Sequence, residues 1–107
     1  MNAMAKSRPL DLTGCEPLLD GASEFLRMWR RPNGPVTCFI DPARVGPDPF
    51  AFGIALVDCV RHGAKAYAQA VGVSEAHALA RILEGFDAER DHPTDDPVSL
   101  SDKGVTH

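Results

Sequence analysis

Apolar residues recur at helical spacing over residues 48–72, the longest such stretch in the chain. At 100° per residue, Phe52, Leu56, Val57, Val60, Ala64, Tyr67 and Val71 fall on one side, the expected buried face. Asp48 stands where an N-cap carboxylate accepts from backbone N–H groups. Pro49 takes the first helical position, where its missing N–H costs nothing. Gly72 is placed to end the helix in a left-handed conformation. Gly53 and Gly63 share the apolar side with Ala64. They let a second backbone come close, at roughly 1 kcal/mol of helix propensity per glycine.

A second helix is predicted from Glu75 to about Arg90, capped by Ser74, with Leu79, Ile82, Leu83 and Phe86 spaced three and four apart. The connection is short, so the two helices should run antiparallel. Upstream, residues 24–30 and 36–40 are rich in strand formers. Arg31-Pro32-Asn33-Gly34-Pro35 between them reads as a hairpin loop, and Pro35 can turn its N-less edge out of the ladder.

The flanks lack periodicity. Residues 1–22 form an expected extended arm, with Leu10, Leu12, Leu18 and Leu19 able to pack locally. Residues 92–107 form an expected disordered acidic tail. The reading is α+β: one domain over residues 23–91, with a β-hairpin packed on two antiparallel α-helices. A lone hairpin is marginal in water, and a domain this small buries only about 60% of its unfolded surface. Either the arm supplies a third strand or two chains associate. A homodimer is the expectation, because two-fold assemblies are the commonest.

Composition narrows the function. Of the 107 residues 44% are hydrophobic and 24% charged, ordinary for a globular chain. No apolar run approaches the roughly 20 residues a spanning helix needs, and the N-terminus lacks a secretory apolar region. No membrane role and a cytoplasmic location are expected. The net charge is −4, with seven carboxylates between Glu84 and Asp102 against Arg90 alone. Nucleic-acid binders show the opposite balance. Arg27, Arg30 and Arg31 beside Trp29 make a basic patch too small to reverse that sign. Cys15, Cys38 and Cys59 show no CxxC spacing and read as free thiols; Cys38 and Cys59 are expected to act as small core hydrophobes.

Several fragments resemble a known family when taken together. Glu24-Phe25-Leu26-Arg27-Met28-Trp29 has the form E-hydrophobic-L-R-hydrophobic-W. Asp48-Pro49, Phe52-Gly53, Asp58 and Arg61-His62 fit a helix of the form DPxxWGxxLxDxxRHxAxAY. Phe86-Asp87-Ala88-Glu89 with Pro93-Thr94-Asp95 matches its closing segment. The set is similar to a small bacterial family, domain of unknown function number 5076, over about residues 22–96. Phe52 stands where that pattern has tryptophan, and Gly63 where it has a larger residue. The resemblance implies no established activity and no catalytic residues.

Candidate chemistry sits on one helix stripe. Asp58 and His62 are four apart, about 5–6 Å between Cβ atoms, so the carboxylate could orient the imidazole as a general base. Arg61 and Lys65 flank them and could hold an anion. The competing reading is a solvated helix face whose pairs contribute a few tenths of a kcal/mol. Ile54 lies one turn before Asp58 and hints that a partner subunit covers the helix's first half. Trp29 reads either as a platform for a flat ligand or as a core anchor between sheet and helix. No nucleotide-binding or hydrolase motif occurs, and His77 lies too far along for a metal site with Asp58 and His62. No cofactor, metal or catalytic residue is assigned. The expected function is a non-enzymatic interaction or adaptor module acting as a homodimer. The alternative is a small-molecule binder or minor enzyme using Asp58, Arg61 and His62.

Overall fold

The computed structural model describes residues 5–94, 99–101 and 105–106. Strands β1 (Leu26–Arg30) and β2 (Val36–Ile40) form an antiparallel hairpin, with Met28 opposite Cys38 and Trp29 opposite Thr37. Side chains alternate across a strand. Leu26, Met28 and Arg30 therefore share a face with Val36, Cys38 and Ile40, and Arg27 and Trp29 share the other with Thr37 and Phe39. The Asp41 N–H continues the ladder to the Phe25 carbonyl at 3.0 Å. Asp41 then accepts from the Ala43 N–H to start a 3-10 turn, Pro42–Arg44. From that turn Arg44 Nη1 donates back to the Glu24 carbonyl at 2.8 Å, which ties the loop to the start of β1.

The arm contains one helical turn, α1 (Glu16–Leu19), opened by Pro17. Its leucines are left open: Leu10, Leu12, Leu18 and Leu19 are all exposed. Among the described residues, the arm contributes no strand to the sheet.

Helix α2 runs Pro49–Val71 and α3 runs Glu75–Asp91. Their ends follow from their caps. Asp48 Oδ1 accepts from the Phe50 N–H at 3.0 Å, and Ser74 Oγ accepts from the His77 N–H at 3.0 Å. Gly72 closes α2 at φ 78° and donates to the Ala68 carbonyl at 3.1 Å. The helices return antiparallel, since Lys65 meets Glu75 at 3.5 Å near the turn while Gly63 faces Ile82 further along. A Cβ on Gly63 would lie 3.7 Å from Ile82 Cδ1. Ala64 and Ala78, 1% and 5% exposed, are the fully buried residues among those described. Small side chains thus set how close the two helices sit.

Two further strands come from the C-terminal segment. β4 (Val105–Thr106) pairs antiparallel with β2, and β3 (Ser99–Ser101) with β4, giving the order β1-β2-β4-β3. The sequence suggests a tail without structure there. The difference has a physical reason: β2 offers a second edge of backbone donors and acceptors, and an extended segment can use it whatever its side chains. The rest of the expected tail beyond Thr94 lies outside the described residues.

Sheet and helix pair share little surface. Phe25, just before β1, meets Phe52 of α2 edge-on, with ring centroids 6.2 Å apart at 82°. The α2 face predicted to be buried is only partly so: Phe52, Leu56 and Val60 are half-buried, while Val57, Tyr67 and Val71 are exposed. Cys59, expected to point into the core, is also exposed. Among the described residues, no helix is long and apolar enough to cross a membrane.

Candidate functional site

The α2 stripe is ordered by helix geometry and left open. Asp58, Arg61, His62, Lys65 and Gln69 are all exposed. Asp58 and His62 do not hydrogen-bond to each other, and Arg61 makes no ion pair among the described residues; Lys65 alone is engaged, with Glu75 of α3. The stripe brings together the groups a general base would need without the contact that would orient the imidazole. Among the described residues no three metal-ligating side chains converge.

A second constellation forms along β1. An open hollow of about 1320 Å³ is lined by Glu24–Arg27 and Trp29–Pro32, by Thr37 and Phe39 of β2, and by residues 5–11 of the arm. Trp29 is half-buried there, with one side on the hairpin and the other on the hollow. Basic side chains dominate the rim. Arg27 is spoken for: its Nε and Nη2 donate to the Glu24 carboxylate at 3.1 and 2.5 Å. That hydrogen bonding holds the Glu24 carboxyl below the usual carboxylate range. Arg44 pairs with Asp41 at 3.1 Å. Lys6, Arg8, Arg30 and Arg31 have no ion-pair partner among the described residues.

The sequence exposes half of this cluster. Arg27, Arg30 and Arg31 are adjacent in the chain and visible as a patch. Lys6, Arg8 and Arg44 reach it only through the arm and the 3-10 turn, and no periodicity marks them. The fold therefore concentrates positive charge on one side of a chain whose net charge is −4.

The hairpin with two capped, antiparallel helices matches a known family across residues 19–94, described as a domain of unknown function, DUF5076. The chain belongs to the DUF5076 family. A solved structure described as that of "a putative pyruvate dehydrogenase" from the photosynthetic bacterium Rhodopseudomonas palustrus CGA009 is also similar. It shares 33% sequence identity at a TM-score of 0.61, over 94% of this chain and 98% of that one. A search of curated proteins finds no match. The DUF5076 match spans β1, β2, α2 and α3. It therefore includes the α2 stripe and the β1 wall of the basic hollow, but not the arm that carries Lys6 and Arg8.

Proposed function

We propose that this DUF5076 protein is a small cytoplasmic interaction module, without catalytic activity, that works as a homodimer. The observation that carries the reading is the apolar surface one chain leaves uncovered. A folded monomer of 11.5 kDa should expose on the order of 5,800 Å², whereas this chain exposes 9493 Å². Its Cα radius of gyration is 16.0 Å, against roughly 13 Å for a compact chain of this length. The exposed apolar residues include the arm leucines, Phe50, Ile54 and Val57 of α2, which are 73%, 54% and 55% exposed, and Leu83 and Phe86 of α3. Phe50, Ile54 and Val57 recur at helical spacing, and an apolar helix face is not stable against water. A second copy covering this face is the simplest partner, since a two-fold axis doubles every contact. Free cysteines in all three positions accord with a reducing compartment.

Size-exclusion chromatography with light scattering tests the dimer directly. At micromolar concentration the expected mass is about twice that of the chain. A single-chain mass at that concentration sinks the dimer.

Oxidising a 2-oxo acid such as pyruvate, the activity for which the R. palustrus protein is named, calls for a cofactor that acts as an electron sink. The residues here do not fit one. Asp58, Arg61 and His62 lie on an open helix face, where among the described residues nothing excludes water from a reactive carbanion. Replacing Asp58 and His62 together by alanine should leave the thermal midpoint within about 2–4 °C of wild type, since exposed pairs contribute well under 1 kcal/mol. A larger fall, read by circular dichroism, would mean that the pair is covered in the assembled protein and would reopen the small-molecule reading.

A further inference from the structure

We infer that the free edge of β1 and the basic hollow beside it form a docking groove for an extended acidic peptide. The inference deepens the interaction-module reading and rests on it, but uses a different surface from the proposed helix face. The sheet order leaves the outer side of β1 without a neighbouring strand among the described residues. Among the described residues, no backbone hydrogen bond joins the arm to β1. The hollow is lined by Glu24–Arg27 and Trp29–Pro32, so it follows β1 for most of its length. Unpaired strand edges bind peptides through main-chain hydrogen bonds, which fix direction and register, while flanking side chains select the sequence.

The flanking side chains choose the occupant by charge. Lys6, Arg8, Arg30 and Arg31 line the groove with no ion-pair partner among the described residues and outnumber Asp11, the lining acid without a cationic partner, so a carboxylate entering it meets net positive charge. Trp29 and Phe39 lie on the sheet face that the hollow covers and offer apolar contact to alternate residues of the guest. The same charges reject a second copy of β1. An antiparallel β1–β1 pairing would bring Arg30 and Arg31 of both chains to one seam, and like charges across a seam are destabilising. Charged edges commonly prevent sheet-to-sheet aggregation. Here they would also admit a strand of opposite sign.

The test uses a fluorescein-labelled peptide of alternating glutamate and valine, its lysine–valine counterpart and a glutamate–valine peptide with proline at its centre. Anisotropy reports binding, and emission from Trp29, the single tryptophan of the chain, reports the site. The acidic peptide should bind saturably and change Trp29 emission, and the basic peptide should not bind. Central proline should weaken binding at least tenfold, because it removes a ladder donor. R30E combined with R31E should weaken it at least tenfold while the far-UV spectrum stays that of wild type. R30Q with R31Q should give a smaller loss of the same sign.

Four results would overturn the inference. One is no binding of the acidic peptide. Another is binding indifferent to the proline, which would show bulk charge attraction alone. A third is tighter binding of a thymidine oligonucleotide than of the peptide. The last is a monomer mass for R30E/R31E beside a dimer mass for the unmodified protein, which would assign the groove to the second copy. The chromatographic mass of the unmodified protein is independent of the other three outcomes, so failure of the dimer and failure of the groove are distinguishable.

Discussion

Ala64→Asp should leave the chain unable to fold, and Ala64→Leu should weaken it by about 1–3 kcal/mol. Ala64 is the most buried residue described, and it faces α3 where Ala78 and Gly63 keep the two helices close. Leucine there must push α3 away or adopt a poor rotamer, because close-packed interiors have no spare volume. Aspartate would bury a carboxylate with no cation in the seam, and Lys65, the nearest base in sequence, is engaged with Glu75. Total stability for a domain of this size is only about 5–10 kcal/mol, so several kcal/mol exceeds what the fold can lose. Urea titration followed by helical circular dichroism measures both variants. Ala66→Leu, at an exposed position two residues along, is the control and should stay near wild type. An Ala64→Leu midpoint equal to that of wild type would show that the helices do not meet closely at this seam.

Local chemistry makes the helices legible in the sequence, whereas long-range pairing leaves no local signal. Asp48, Pro49, Gly72 and Ser74 each act within four residues of themselves, so α2 and the start of α3 fall where their caps dictate. The hairpin follows from two runs of strand formers around Asn33-Gly34. β3 and β4 gave no such signal. Two or three residues carry no periodicity, and their place is set by the vacant edge of β2, which is a property of the fold. Exposure was the other gap. A helical wheel ranks positions by side but does not say how much of an apolar arc a neighbour will cover. In this chain α3 covers the arc around Ala64 and leaves Val57, Tyr67 and Val71 open. Cys59 has apolar neighbours in the sequence, yet its own side chain is exposed. The candidate site divides similarly: the β1 arginines are contiguous and readable, whereas Lys6, Arg8 and Arg44 join them only through the folded backbone.

Ile54→Asp together with Val57→Asp should convert the proposed dimer to monomer, raising the dissociation constant by at least about a thousandfold. Both residues are more than half exposed in the single chain, one turn apart on α2, with Phe50 a turn before them. Gly53 lies beside them, and a Cβ built there would meet nothing within 4 Å, so another backbone can approach the helix at that point. In a two-fold interface each substitution occurs twice, which places four carboxylates in a patch that now holds four aliphatic side chains. Losing the burial of one aliphatic side chain costs about 1.5–3 kcal/mol, and a thousandfold change needs only about 4 kcal/mol. The effect should therefore exceed the threshold even if half of the patch stays wet. Sedimentation velocity across a concentration series reads the change. Wild type should also show a thermal midpoint that rises with protein concentration, as linkage to dimerisation requires, and the variant should not. Gln69→Asp on the charged stripe is the control for added charge and should leave the dimer intact. A variant still dimeric at wild-type concentrations would move the interface to another apolar surface, with the exposed Met28 face of the hairpin as the next to test.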